Sequence, residues 1–178
     1  MAKKKNDSRL VYDVILLILS VATLITLFVG MVKATGTASG TELWTATGGD
    51  LIKSAFASEL KGLEGGAASI YSLAAIEENA FIVGAFQWCY IVSMVAAAAC
   101  LVFTVLDMLH IRLRLFNKLC AIVLVLGSLA TMVFGFLTAG KATGGLFGMG
   151  STGSVAFGLF LLIAGIVYTV VYFVKEQN

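Results

Sequence analysis

The sequence predicts an all-α integral membrane protein built as a four-transmembrane-helix bundle, and three observations predict it. Apolar residues make up 60% of the chain and charged residues only 12%, about half the charge that a water-facing surface needs. Four long stretches carry no charge: Val14–Val32, Asn79–Leu106, Leu119–Gly140 and Ala142–Val174. Each matches or exceeds the roughly 20 apolar residues that cross a hydrocarbon core. The basic residues flanking these stretches gather on one side of them.

That side carries Lys3, Lys4, Lys5 and Arg9 before the first span, Arg112, Arg114 and Lys118 between the second and third, and Lys175 after the fourth. The other side holds Lys33, Lys53, Lys61 and Lys141 against Glu42, Asp50, Glu59, Glu64, Glu77 and Glu78. An excess of basic residues in short loops marks the cytoplasmic face, which puts both termini in the cytoplasm and suggests the cell membrane as the location. A cleaved signal segment at the start is disfavoured, because signal cores run about 7–15 residues and the first apolar stretch is longer. The expected order is a basic N-terminus (1–13), first span (14–33), outer insert (34–80), second span (81–106), basic inner loop (107–118), third span (119–139), Gly-rich outer loop (140–153), fourth span (154–174) and C-terminus (175–178).

An internal repeat suggests that one hairpin is used twice. Ser20–Gly36 and Ser128–Gly144 align without a gap at an offset of 108, with eight identities in 17 positions. The identities include a shared Lys-Ala-Thr-Gly at the outer end. Leu101–Leu106 and Ile166–Val171 give a weaker echo. Two hairpins of the same topology would be parallel repeats about an axis along the membrane normal.

The hairpins then differ in their outer loops, and specialised function is expected in the long first one. Residues 50–64 fit an amphipathic helix. Leu51, Ile52, Ala55, Phe56, Leu60 and Leu63 fall on one half of a helical wheel; Asp50, Lys53, Ser54, Lys61 and Glu64 fall on the other. Gly65-Gly66 breaks it, and Ala67–Asn79 reads as a helix extending the second span, with Ile70 and Leu73 facing the bundle. Glu59 falls within the apolar half. A buried carboxylate needs a partner, and Lys141, the only charge in the other outer loop, is the expected one.

Other candidates for binding or assembly are Trp44, the one large residue of the Gly/Thr/Ser-rich stretch before that helix, and Gln87 and Trp88 inside the second span. A membrane-embedded amide usually bonds across helices; lining a pathway is the alternative. Small residues recur at four-residue spacing: Ala22, Thr26 and Gly30 on the first span, Gly127, Thr131 and Gly135 on the third. Gly158 and Gly165 serve the fourth. Such stripes let helices approach closely in lipid, within one chain or between copies. Asp13, Asp107, Arg112 and Arg114 are expected to pair at the inner interface.

Several chemistries lack their residues. The net charge of +2 is too small for nucleic acid. Cys89, Cys100 and Cys120 lie in or beside spans and read as small buried hydrophobes. One histidine, His110, offers no metal cluster, and no cofactor is indicated. Gly140–Gly145 lacks the phosphate-loop pattern. No acid/base pair can be assembled for catalysis. Inside termini and a larger first outer loop containing Trp44 resemble, in topology, the claudin and peripheral-myelin type of tetraspan protein, without the cysteine pair that family carries there. The expected function is a non-catalytic assembly, structural or accessory subunit, partnered by lipid and by its own copies or another membrane protein. The alternative is an oligomeric channel or uncoupled carrier lined by Gln87, Ser93, Thr104 or Thr23.

Overall fold

The computed structural model describes residues 2–35, 42–111, 113–142 and 152–177, and side-chain surroundings for 10–29, 44–111, 113–142 and 159–175. The chain is predominantly helical: α1 (Ala2–Ile25), α2 (Gly48–Phe56), α3 (Gly65–Ala74), α4 (Glu77–Met108), α5 (Arg114–Ala142) and α6 (Thr152–Gln177), with strands β1 (Gly30–Thr35) and β2 (Glu42–Thr47) between α1 and α2. Among the described residues two helices, α4 and α5, are long and apolar enough to cross a membrane. α4 packs on α1 and α5, and α6 packs on α1 and α5, so the four long helices close a ring.

The first helix departs from expectation. Its apolar stretch was expected to run unbroken from 14 to 33, but α1 ends at Ile25. Thr26, Leu27 and Phe28 follow as tight turns, each N–H bonding to the carbonyl three residues back. The carbonyls of Thr26 and Leu27 then accept from the N–H groups of Gly48 and Gly49, at 3.2 and 2.8 Å. Another segment has taken the acceptors that a continuing helix would use. The chain turns into β1, which pairs antiparallel with β2 in the register Lys33↔Thr45 and Ala34↔Trp44. This hairpin is the one departure from an all-helical fold among the described residues.

The insert helix is also shorter than the 50–64 expected. Thr47 caps it: its hydroxyl accepts from Asp50 N–H at 3.1 Å, and Asp50 Oδ2 accepts from Thr47 N–H at 2.8 Å, a reciprocal capping box. The helix stops at Phe56, with Ala57 extended. A further turn would have carried Glu59 onto the apolar face, where an unpaired carboxylate is costly. Gly62, at φ +93°, turns the chain back. Residues 65–79 do not form one extension of α4, because Ile76 is extended (φ −78°, ψ 118°) between α3 and α4.

α4 ends in a Schellman arrangement. Ile111 N–H bonds Leu106 O, His110 N–H bonds Asp107 O, and His110 takes the left-handed conformation at φ 67°, a position that glycine usually fills.

Two clusters anchor the ends of the bundle, called outer and inner after the expected topology. At the end beside the insert, the outer one, Ala46, Leu51, Ile70, Val83, Phe86, Tyr90, Met94 and Leu161 are buried together. At the opposite, inner end Leu16, Cys100, Ala121, Tyr168 and Tyr172 are buried. Large apolar side chains also point outward on every long helix: Ile18, Val95, Leu126 and Ile163 are each more than half exposed.

Candidate functional site

The outer insert folds onto the bundle rather than standing away from it. β2, α2 and α3 pack on one another, and α2 and α3 pack on α4. Glycines make the fit. A Cβ on Gly48 would lie 1.8 Å from Tyr90 Oη and 2.6 Å from Thr26 O. One on Gly66 would lie 2.4 Å from Thr45 O, against the backbone of β2. Thr26 donates its hydroxyl proton to Thr23 O at 2.7 Å. Tyr90, 3.1 Å from Thr26 Oγ1, is then the donor in that pair, since a hydroxyl has one proton. Thr26, Tyr90 and Gly48 thus join the exit of α1, the middle of α4 and the start of α2.

Gln87 is buried and donates from Nε2 to Ser54 Oγ at 2.8 Å. Ser54 in turn donates to Leu51 O at 3.0 Å. The wheel put Ser54 on the polar half; it is buried instead, because it meets the one strongly polar side chain at that depth of α4. Phe56 and Trp88 meet edge to face at 5.6 Å, both more than half exposed. Trp44 is half-buried and packs against the outer cluster. Tyr71 donates to Ser58 O at 3.1 Å, tying the stretch after α2 to α3.

The expected Glu59–Lys141 pair does not form. Glu59 is exposed in the irregular stretch after α2, Lys141 is half-buried in the last turn of α5, and no ion pair joins them among the described residues. Ending α2 early frees Glu59 to water and removes the need for a partner.

The small-residue positions with described surroundings pack inside the chain. A Cβ on Gly127 would meet Ser93 Oγ at 2.6 Å, and one on Gly135 would meet the Phe86 ring at 2.9 Å; Thr131, between them, is buried. A Cβ on Gly165 would lie 3.5 Å from Val125 Cα, at ordinary contact. Ala22 is half-buried. The surroundings of Gly30 and Gly158 lie outside the described residues.

The inner end holds the group that sequence reasoning only half assembled. Lys175 Nζ pairs with both Asp13 and Asp107, joining the last turn of α6 to α1 and the end of α4. Lys175 is 7% exposed and Asp13 6%. The two acids were grouped from sequence, but with Arg112 and Arg114 as neighbours and Lys175 left as a basic flank. The available signal was that all three directly flank the expected span boundaries, on the side expected to be inner. Beside them Tyr168 Oη contacts Asn117 Oδ1 and Thr104 Oγ1, both at 3.0 Å. A cleft lined by Phe103, Asp107, Leu113, Arg114, Asn117 and Tyr172 is too narrow to hold a water molecule.

No group of three metal-ligating side chains occurs among the described residues. No protein-family model, curated protein or solved structure matches the chain, so the topological likeness to tetraspan proteins has no counterpart in these comparisons.

Proposed function

We propose that this chain is a non-catalytic multi-pass protein of the cell membrane, with four spans and cytoplasmic termini, acting as an assembly, structural or accessory subunit through its outer insert. Insertion is supported by surface chemistry. The apolar windows of α4 and α5 are only 39% and 33% buried, whereas the core helix of a water-soluble domain is mostly buried. Outward-facing apolar residues on α1 and α6 continue the same belt. The apolar parts of α1 and α6, Leu10–Ile25 and Leu159–Lys175, extend about 24 and 26 Å at 1.5 Å per residue, shorter than α4 and α5 but near the roughly 30 Å of a hydrocarbon core, and supply the two further spans of this reading. The equivalent repeat positions Ser20 and Ser128 are both fully buried and bond back to Leu16 O and Leu124 O, in keeping with a duplicated hairpin.

One observation favours a subunit over a pore. The polar side chains that a pore would need are spent inside the chain: Gln87 on Ser54, Ser93 on Cys89 O, Thr104 on Cys100 O and Thr23 on Leu19 O. What remains outward is the insert, with the exposed Phe56 and Trp88 pair. The test is reconstitution into liposomes, with the oligomeric state measured in mild detergent. The expected result is a defined multimer with no ion or small-solute flux above empty vesicles. Flux abolished by Gln87→Leu would overturn the proposal in favour of a channel.

A further inference from the structure

The turn joining α4 to α5 has a composition that the bundle does not explain. From Leu109 to Leu115 the sequence alternates apolar and basic or imidazole side chains: Leu109, His110, Ile111, Arg112, Leu113, Arg114, Leu115. Leu109 is 65% exposed, Ile111 53% and Leu115 68%, and the neighbouring Phe116 is also exposed. The Schellman bonds fix the backbone that presents them, so exposure follows from the fold. Tyr172 Oη donates to Arg114 O at 3.2 Å and pins the start of α5 to α6.

Charge adds a direction. The inner end carries eight basic and four acidic residues. Two of those acids, Asp13 and Asp107, are turned inward onto Lys175. Arg114 is exposed, and half-buried Lys118 has its ammonium 5.7 Å from the Phe173 ring centre, at the rim of the bundle. Large apolar side chains beside peripheral cations suit the boundary between acyl chains and headgroups, where apolar groups enter the hydrocarbon edge and basic groups reach phosphate.

We propose that this turn is an interfacial element that engages anionic phospholipid headgroups of the inner leaflet, with Ile111, Leu115 and Phe116 seated in the acyl boundary and Arg114 and Lys118 on the headgroups. The proposal rests on the membrane reading above. The adjoining cleft admits no water, so contact is with the leaflet surface, not with a lipid drawn into a pocket. Anionic membrane surfaces attract each nearby Lys or Arg by about fivefold in affinity.

The full chain is purified in mild detergent with equal phosphatidylglycerol and phosphatidylcholine, and retained lipid is read by native mass spectrometry. Phosphatidylglycerol should be retained several-fold over phosphatidylcholine. Arg114→Gln with Lys118→Gln should remove most of that excess and bring retention of the two lipids close to equal, while Lys53→Gln with Lys61→Gln, at the outer end, should leave it intact. Equal retention of the two lipids by the native chain overturns the proposal, as does an equal loss in the outer pair. Should the inner pair misfold, the native chain decides: an excess that does not fall with added salt is not electrostatic and overturns the proposal as well. Flotation of the native chain with pure phosphatidylcholine vesicles after a carbonate wash separates the two failures. A chain that floats but shows no lipid preference refutes this inference alone, and one that does not float refutes the membrane reading with it.

Discussion

The two ends of the bundle are closed by different physics. At the outer end the closure is made of backbone bonds and fitted volume: Gly48 and Gly49 N–H on the carbonyls of Thr26 and Leu27, Gly48 under Tyr90, and Gly66 on β2. At the inner end it is made of charge, with one ammonium between two carboxylates. The outer end should therefore tolerate changes of charge and resist added volume. The inner end should do the reverse.

Removing the cation is the strongest way to break this contrast. Lys175→Met leaves buried Asp13 and half-buried Asp107 without the ammonium that joins them. Breaking a buried pair in this way typically costs about 3–5 kcal/mol, so the thermal midpoint in detergent should fall sharply. Adding Asp13→Asn and Asp107→Asn to Lys175→Met should restore most of it, since uncharged replacement of a whole buried ionic group is often near neutral. At the outer end the matching insult is steric. Gly48→Ala should lose roughly 1–3 kcal/mol by overpacking, read as a drop in the denaturation midpoint. Tyr90→Phe in that background should recover part of the loss, because the hydroxyl is the nearest atom to the new methyl.

Smaller effects sharpen the comparison. Gln87→Leu removes one buried bond but leaves Ser54 still donating to Leu51 O. The expected cost is about 1 kcal/mol, checked by the same melt. Glu59→Gln should shift stability by less than about 0.5 kcal/mol, as an exposed surface change does. A large shift there would mean that charge matters at the outer end after all.

The long helices were legible because uncharged stretches leave little choice of solvent or conformation. Gln87 could be picked out because an amide among apolar residues needs a partner; which partner was hidden, because Ser54 looked solvent-facing on an idealised wheel. The ends of elements were not legible. The Lys-Ala-Thr shared by the two repeat copies lies in strand β1 at 33–35, while Lys141 and Ala142 end helix α5. In the first copy the N–H groups of Gly48 and Gly49 take the carbonyls just past the end of α1, whereas α5 runs on through Lys141 and Ala142. That is a tertiary event with no local trace. Glu59 was misplaced for the same reason: its position followed from a helix length that nothing in the sequence guaranteed.

The pairing of Lys175 with Asp13 also bears on the order of biosynthesis. The two partners are 162 residues apart, so the acid leaves the ribosome with the first helix and its cation only with the last. A nascent chain that stops before Lys175 carries both acids without the lysine that pairs with them. This end of the bundle can close only after α6 has been made, and a chain halted before that point is marked by uncompensated negative charge where the ion pair would form.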